Sequence, residues 1–583
     1  MRSLLGRFHR PMSRGLVNNM LTMNNLGDGS TLNLDFTTGV LDSRLTFSRA
    51  STATFVNSSG YVEYAGANML VNSPMQDAAS PASGWNFFSI TGGTISIPTT
   101  GSRKVATTGA SQQPFTHQTL TISQGLTFTL SLVVTEITGT ISYQNICGVD
   151  GAASSQLWVN GVNITATSSQ AAVGNYCLIF VGGSGSHTIR IGTGASSASA
   201  GVCSMTFHSA RVQPGSFTTT TYIPSTLTAA YHAPRFDYSP TNIGEPRGLL
   251  IEGSATNLAY RSNDFAETPV DGNQWAFSGY TTSFLSTSLP DGSTGNSRRI
   301  VIVSGSGSYR SNTITVTAST QYTFSFWARN NGGSQARYRV WNVTAGSSIV
   351  DYTLSGSNYV SLIGGANNTS STWVRISVTF TTPSGCTGIY IYPSSSDSGT
   401  VDLLIWGAQL ELGSGASSYI PTGASQVTRN ADQCELTSGV PALYDSATGT
   451  GTFLIDISHS ALQNANGGIE LGAGTGNQGS TNRVSCRRDA TFVGGTALNL
   501  TPTGAGQRFK TVTAFAPSDL AASRNGNSAV TSSTNVTLTG MTALKFYIDA
   551  WAGGSLPVYG AVRQVKIWPT RLPNATIQTL SAL

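Results

Sequence analysis

Between residues 68 and 422 the chain runs through one pattern twice. Asn68-Met69-Leu70 followed by Gly84-Trp85-Asn86-Phe87 returns as Asn257-Leu258-Ala259 followed by Gln274-Trp275-Ala276-Phe277. Phe128-Thr129-Leu130-Ser131-Leu132 returns as Tyr322-Thr323-Phe324-Ser325-Phe326, and Tyr222-Ile223-Pro224-Ser225 returns as Tyr419-Ile420-Pro421-Thr422. The partners lie 189, 190, 194 and 197 residues apart. A slowly rising offset is what a few loop insertions in one of two copies produce. The sequence therefore predicts two copies of one module, 68–225 and 256–422, with the rest of the chain built around them.

The module reads as β. Trp373, Arg375, Ser377 and Thr379 alternate with Val374, Ile376 and Val378 within Ser361 to Thr379, the period of a half-buried strand. Many such stretches are spaced by Gly, Ser and Thr turns, and roughly 160 residues hold the eight or more strands of a two-sheet jelly roll. Only 10% of residues are charged, against about 25% in a typical soluble domain, while 39% are hydrophobic and 65 are glycine. That balance argues against a helical bundle, a coiled coil or a doubly wound nucleotide enzyme. The first Trp of each module, Phe324, Phe326 and Trp327 follow strand alternation as core fillers, with a sugar-stacking face as the other role open to flat aromatics.

The flanking segments complete an expected all-β chain of tandem sandwiches. Residues 1–34 hold Arg2, Arg7, Arg10 and Arg14 with no acid before Asp28, and Pro11 opposes a long helix. They read as an extended arm that docks on another protein. Residues 35–67 and 226–255 carry short strands (Leu45-Thr46-Phe47, Thr54-Phe55-Val56, Leu249-Leu250-Ile251) and are expected to meet as one small β base domain, split by insertion of the first module. Arg235 with Asp237, and Arg247 with Glu252, are its expected ion pairs. Residues 433–583 form a third sandwich, with strands at 453–457, 544–548 and 562–568 and a closing helical turn from Pro573 to Leu580.

The net charge of +5 is spread along the chain, so it does not predict nucleic-acid binding. Only Lys104, Lys510, Lys545 and Lys566 are lysines among 31 basic residues. Arginine tolerates interfaces better than lysine, and such a surface fits life among other subunits. Cys147, Cys177, Cys203, Cys386, Cys434 and Cys486 lack metal-ligand spacing and read as reduced core thiols, with one disulfide among the first three left open. No apolar run reaches about 18 residues, so no membrane helix is expected, and the basic start lacks a signal peptide's apolar region.

Several of these segments resemble a group of bacteriophage virion proteins: residues 34–60 (LDFTTGVLDSRLTFSRASTATFVNSSG), 233–258 (APRFDYSPTNIGEPRGLLIEGSATNL), 322–330 (YTFSFWARN), 406–422 (WGAQLELGSGASSYIPT) and 562–580 (VRQVKIWPTRLPNATIQTL). The two modules look like carbohydrate-binding-module jelly rolls, and the last segment looks like a concanavalin A or laminin-G sandwich. In similar proteins the PRFDY–RGLLIE strap follows TFSRAST after a few residues, whereas here 68–225 intervene. The resemblance implies a virion structural protein assembled in the host cytoplasm, foremost a homotrimeric tail fibre or spike. Its arm, with Arg2, Arg7, Arg10 and Arg14, would anchor it to a tail adaptor, portal-neck or capsid protein. Its sandwiches would meet a host-surface polysaccharide. The alternative is a head-decoration, head-fibre or collar protein that stabilises the particle without binding a receptor.

Chemistry is not expected. Sandwich glucanases similar to the last domain carry an E-x-D-x-E strand, whereas Phe453-Leu454-Ile455-Asp456-Ile457 offers one acid and Glu470 stands alone. No HExxH, EF-hand loop, P-loop or nucleophile elbow occurs, and the six histidines have no ligand spacing. The expectation is no enzyme, no cofactor and no metal, with no nucleic-acid or membrane partner.

Overall fold

The computed structural model describes residues 28–583, apart from 74, 76–83, 90–91, 195–200, 227–228, 266–274, 303–305, 334, 356–371, 397–399, 461–466, 474–481, 505 and 550–554. Among the described residues the chain is almost wholly β, with antiparallel strand pairs throughout and one α-helix, Asn574–Leu580. That is the all-β sandwich class expected from alternation and turn spacing.

Each copy of the repeat is a two-sheet sandwich. In the second copy, Thr281–Ser288, Thr294–Ile302, Val401–Leu412, Gln321–Asn330 and Val374–Thr381 form the first sheet in that order. Residues 361–371 of the alternating stretch lie outside the described residues. The second sheet runs Trp275–Ser278, Gly307–Ser311, Gly388–Ser396, Gln335–Asn342 and Ser347–Ser355, with Ile314–Thr315 also pairing to Gly388–Ser396. The first copy has the same order: Thr94–Ser96, Arg103–Ala106, Ser204–Pro214, Thr127–Thr138 and Gly174–Gly182 face Asn86–Phe88, Phe115–Thr121, Ser186–Gly192 and Cys147–Asp150. The copies part at one strand. Ala152–Val159 crosses to the first sheet and pairs with Gly174–Gly182, whereas Ser347–Ser355 stays beside Gln335–Asn342. The second sheet of the second copy is wider for it.

Buried polar contacts recur with the repeat. Asn68 and Asn257 are both fully buried. Asn68 donates to the carbonyls of Ala210 (3.1 Å) and Ile223 (2.8 Å) and accepts from the amides of Leu70 and Val212. Asn257 donates to Ala408 (3.0 Å) and Ile420 (2.8 Å) and accepts from Ala259 and Leu410. An amide with all four bonds made staples the entering strand to the last one, and a buried polar group without them is costly. The Ser73–Tyr222 hydroxyl pair likewise returns as Ser262–Tyr419. The modules meet where the Ala424 amide donates to the Gln124 carbonyl (3.0 Å). Gly423 is needed there, since a Cβ would lie 1.5 Å from that carbonyl oxygen.

The flanking segments do meet, Ala67–Asn68 pairing with Tyr231–His232 beside the Thr54–Val56/Val62–Tyr64 hairpin, but most of their strands join the C-terminal sandwich and not a small domain of their own. Leu32–Asp35 pairs with Gly560–Trp568, and so does Pro246–Ile251, which Arg235–Tyr238 extends; all join the sheet of Gly451–His459 and Arg508–Ala516. Thr46–Ser48 pairs with Gln433–Leu436 in the opposing sheet. Leu32, Leu34, Phe36, Leu249 and Ile251 then fill one core with Ile455, Ile469, Val565 and Ile567. The short strands thus complete the C-terminal sandwich, because their alternating apolar residues find a full partner face only there. The arm drawn to residue 34 ends earlier, as Leu32 and Leu34 are core residues. The closing helix, capped by Pro573, buries Ile577 against Leu454, Val512 and Trp568.

The expected ion pairs exchange partners. A bulge between Asp237 and Tyr238, with Gly248 at φ +105°, sets Arg247 beside Asp237 (3.1 Å). Arg235 instead reaches Glu252 (2.6 Å) and Asp432. Arg49 joins Asp432 at 2.8 Å, and Arg429 lies 3.6 Å from Glu252. All six cysteines are buried and unpaired.

Candidate functional site

Strand alternation writes two faces, and in the second copy the second sheet carries chemistry on its outer one. Gly388–Ser396 reads GIYIYPSSS, and Ile389 and Ile391 are fully buried in the core. Tyr390 and Tyr392 must therefore project outward. In Gln335–Asn342, Val340 points inward, so Arg337, Arg339 and Trp341 share the outer face. Register sets Trp341 opposite Tyr390 and Arg339 opposite Tyr392. Tyr309 enters the core from Gly307–Ser311, which turns Arg310 outward, and Asp351 lies opposite Arg339 on the added strand.

These side chains pack as one array. The Arg310 guanidinium lies 3.8 Å over the Tyr390 ring, and Arg339 lies 5.7 Å from the ring centres of both Trp341 and Tyr392. Tyr390 and Tyr392 meet edge to face at 6.4 Å. The Asp351 carboxylate accepts from both sides of the Arg337 fork, lies 3.1 Å from the Arg339 Nε and accepts from Ser348 (3.3 Å). Burial alone would raise its pKa, but Arg337 and Arg339 outweigh that and hold the carboxyl below the usual carboxylate range. Held arginines, the half-buried Trp341 and Tyr390 rings and the buried Tyr392 beside them give a stiff surface with flat apolar platforms and planar donors at its edge. Such a surface stacks on the C–H face of a sugar ring and hydrogen-bonds its hydroxyls.

The first copy carries a different cluster on this face, with Arg190 lying 5.3 Å over the Phe115 ring. Ile189 and Ile191 occupy the core as Ile389 and Ile391 do, so Arg190 and Gly192 stand where Tyr390 and Tyr392 stand. A Cβ on Gly192 would lie 2.6 Å from the Phe115 Cα, and Phe88 stacks on Phe115 at 4.9 Å. Arg190 is paired with Asp150.

A cleft of about 780 Å³ opens between the second copy, the Thr54–Val56/Val62–Tyr64 hairpin and the C-terminal sandwich, lined by Phe55, Tyr61, Trp373, Asp237, Arg247 and Glu252. Its acids are engaged within the chain. Asp237 accepts from the Val56 amide (2.9 Å) and Arg247, while Glu252 holds Arg235 and Ser418. Burial pushes the Asp237 carboxyl up to about 6, with Arg247 pulling the other way. An acid raised in the folded state stabilises it below the unfolded value, and that contribution disappears as pH rises through the folded one. Asp237→Asn should therefore gain on the parent protein by on the order of 2 kcal/mol as pH rises from 4 to 7, read from urea unfolding at each pH. A flat difference between the two proteins would refute the raised value.

Residues singled out from sequence land elsewhere. Trp85, Trp275, Phe324, Phe326 and Trp327 are buried core side chains. Arg2, Arg7, Arg10 and Arg14 lie outside the described residues. Among the described residues no group of three or more His, Cys, Asp or Glu is arranged to hold a metal ion, and no helix is long and apolar enough to cross a membrane. Sequence reasoning missed Trp341, Tyr390 and Tyr392, although the alternation in RYRVW and IYIY carries the signal.

Residues 259–399 match the family model described as Carbohydrate binding domain. No curated protein sequence matches the chain. Among solved structures, the enzymatically active domain of tailspike protein 4 from bacteriophage CBA120 is similar at 16% identity and TM-score 0.20, over 27% of this chain and 21% of that one. The chain thus spans about a fifth of that tailspike's length. The tandem CBM22 domain of Paenibacillus barcinonensis Xyn10C is similar at 12% identity and TM-score 0.22, over 60% of this chain and 98% of that one. The N-terminal cellulose-binding domain of a Cellulomonas fimi β-1,4-glucanase is similar at 17% identity and TM-score 0.18, over 26% and 94%. The family likeness falls on the second copy, the stretch that carries Arg310, Trp341, Asp351, Tyr390 and Tyr392, and that copy is similar to carbohydrate-binding domains.

Proposed function

We propose that this chain is a non-catalytic, glycan-binding component of a bacteriophage particle, in which the outer face of the second copy's second sheet meets the sugar. One observation carries the reading: the aromatic–arginine array lies inside the carbohydrate-binding match, and the first copy has Gly148, Arg190 and Gly192 where Trp341, Tyr390 and Tyr392 stand. The virion setting rests on the resemblance of residues 34–60, 233–258 and 562–580 to phage structural proteins. In that setting the chain is a tail fibre or spike, a homotrimer anchored through the N-terminal arm that carries Arg2, Arg7, Arg10 and Arg14, and the first copy and C-terminal sandwich serve as framework.

Affinity electrophoresis of the full chain through gels containing host-surface polysaccharides tests the reading. Retardation by at least one polysaccharide is the expected result. Unretarded migration in all of them would overturn glycan binding and favour a decoration or collar role, in which the sandwiches only pack.

A further inference from the structure

We infer that the glycan taken by this face is acidic, with Arg310 pairing to a carboxylate on a sugar ring; the inference rests on the glycan-binding reading above. Among the described strands of the sheet the charged residues are Arg310, Arg337, Arg339 and Asp351, three cations and one anion. Asp351 is already shared by Arg337 and Arg339. Arg310 makes no ion pair among the described residues. It donates one bond, to the Ser311 carbonyl (3.0 Å), and lies over the Tyr390 ring at 3.8 Å. A stacked guanidinium keeps its in-plane donors directed past the edge of the ring, the geometry that receives a carboxylate through two parallel bonds.

The excess is local. The whole chain carries 31 basic and 26 acidic residues among 583, so a face whose described strands hold three arginines and one acid stands out. The first copy differs on the same ground, since Arg190, which replaces Tyr390, is neutralised by Asp150. A site for a neutral glycan gains nothing from uncompensated cations beside its aromatic platform, because hydroxyls are read equally well by neutral donors and acceptors. A polyanion gains on each encounter, and its binding weakens with salt.

The experiment compares binding of the full chain to polygalacturonic acid, polysialic acid, carboxyl-reduced polygalacturonic acid, dextran sulfate and neutral dextran and xylan, at low and high salt. The expected result is binding to at least one carboxylated polymer, weakened about tenfold or more by high salt and lost after carboxyl reduction. Arg310→Gln should weaken it tenfold or more with an unchanged thermal melt, and Arg310→Lys should recover part of the loss. Neutral polymers binding as tightly as acidic ones, without salt dependence, would overturn the acidic class and leave glycan binding standing. Binding to dextran sulfate alone, or acidic binding untouched by Arg310→Gln, would overturn the carboxylate assignment. No binding to any of these polymers overturns the acidic class; only its extension to the host polysaccharides would take the glycan reading down too.

Discussion

Asp432→Ala should cost the folded chain about 3–5 kcal/mol, the range for breaking a buried ion pair by removing one partner. Arg235 is fully buried between Asp432 and Glu252, and Arg49 reaches the other Asp432 oxygen. The same carboxylate accepts the Glu252 amide at 2.9 Å. Truncating it leaves Arg49 buried with no carboxylate, Arg235 with Glu252 as its one remaining acid, and the Glu252 amide without its acceptor. Glu252 meanwhile sits well below the usual carboxylate range: burial raises it, and Arg429 and Arg235 outweigh that. A depressed carboxylate stabilises above its unfolded value, so the cluster holds at neutral pH and fails on acidification. Guanidinium unfolding of Asp432→Ala measures the loss. The double variant Arg235→Met/Asp432→Leu should cost clearly less than the sum of its single variants, because the Arg235–Asp432 pair is lost once and not twice. A single-variant loss under 1 kcal/mol would show that these groups do not fasten the sandwiches.

That cluster also marks where sequence reasoning stops. The sandwich class was legible because period-two alternation and turn spacing are local signals, and the repeat because Asn68 and Asn257 do one job in two places. The partners of short strands were not. Leu34 faces Val565 and Phe47 faces Cys434, across hundreds of residues, and a four-residue strand states which face is apolar but not whose core it enters. The Arg235 and Arg247 pairings failed for a related reason: a one-residue bulge at Arg247 changes which neighbours meet, and spacing along the chain cannot show a bulge. The candidate face was half visible. Ile389-Tyr390-Ile391-Tyr392 is apolar on both faces, so it reads as a strand buried on both sides, while Phe324 and Phe326 read the same way and are indeed core. Only the neighbouring Arg339 and Arg310 distinguish the two, because they mark a face that stays in contact with water.

Trp341→Ala and Tyr390→Ala should each weaken sugar binding about 10- to 100-fold, and together should abolish retention on the glycan. The two rings are direct register partners on the outer face and belong to none of the buried core clusters. Losing one removes a stacking platform worth about 1.5–3 kcal/mol at a well-packed binding surface. Tyr390 carries a second loss, because the Arg310 guanidinium lying over it loses the surface that orients it. Its truncation should therefore exceed that of Trp341 on a charged sugar and match it on a neutral one. Both variants should melt within a few degrees of the parent, since the core beneath them is made by Ile389, Ile391 and Val340. Phe115→Ala, on the matching face of the first copy, supplies the contrast. It removes the ring that packs with Phe88 and Arg190, so it should lower stability while leaving affinity unchanged. Affinity electrophoresis of the parent and the four variants on one charged and one neutral glycan separates these outcomes. Equal losses from both copies would mean that the divergence between them has nothing to do with sugar, and full retention by the double variant would place binding on another surface of the molecule.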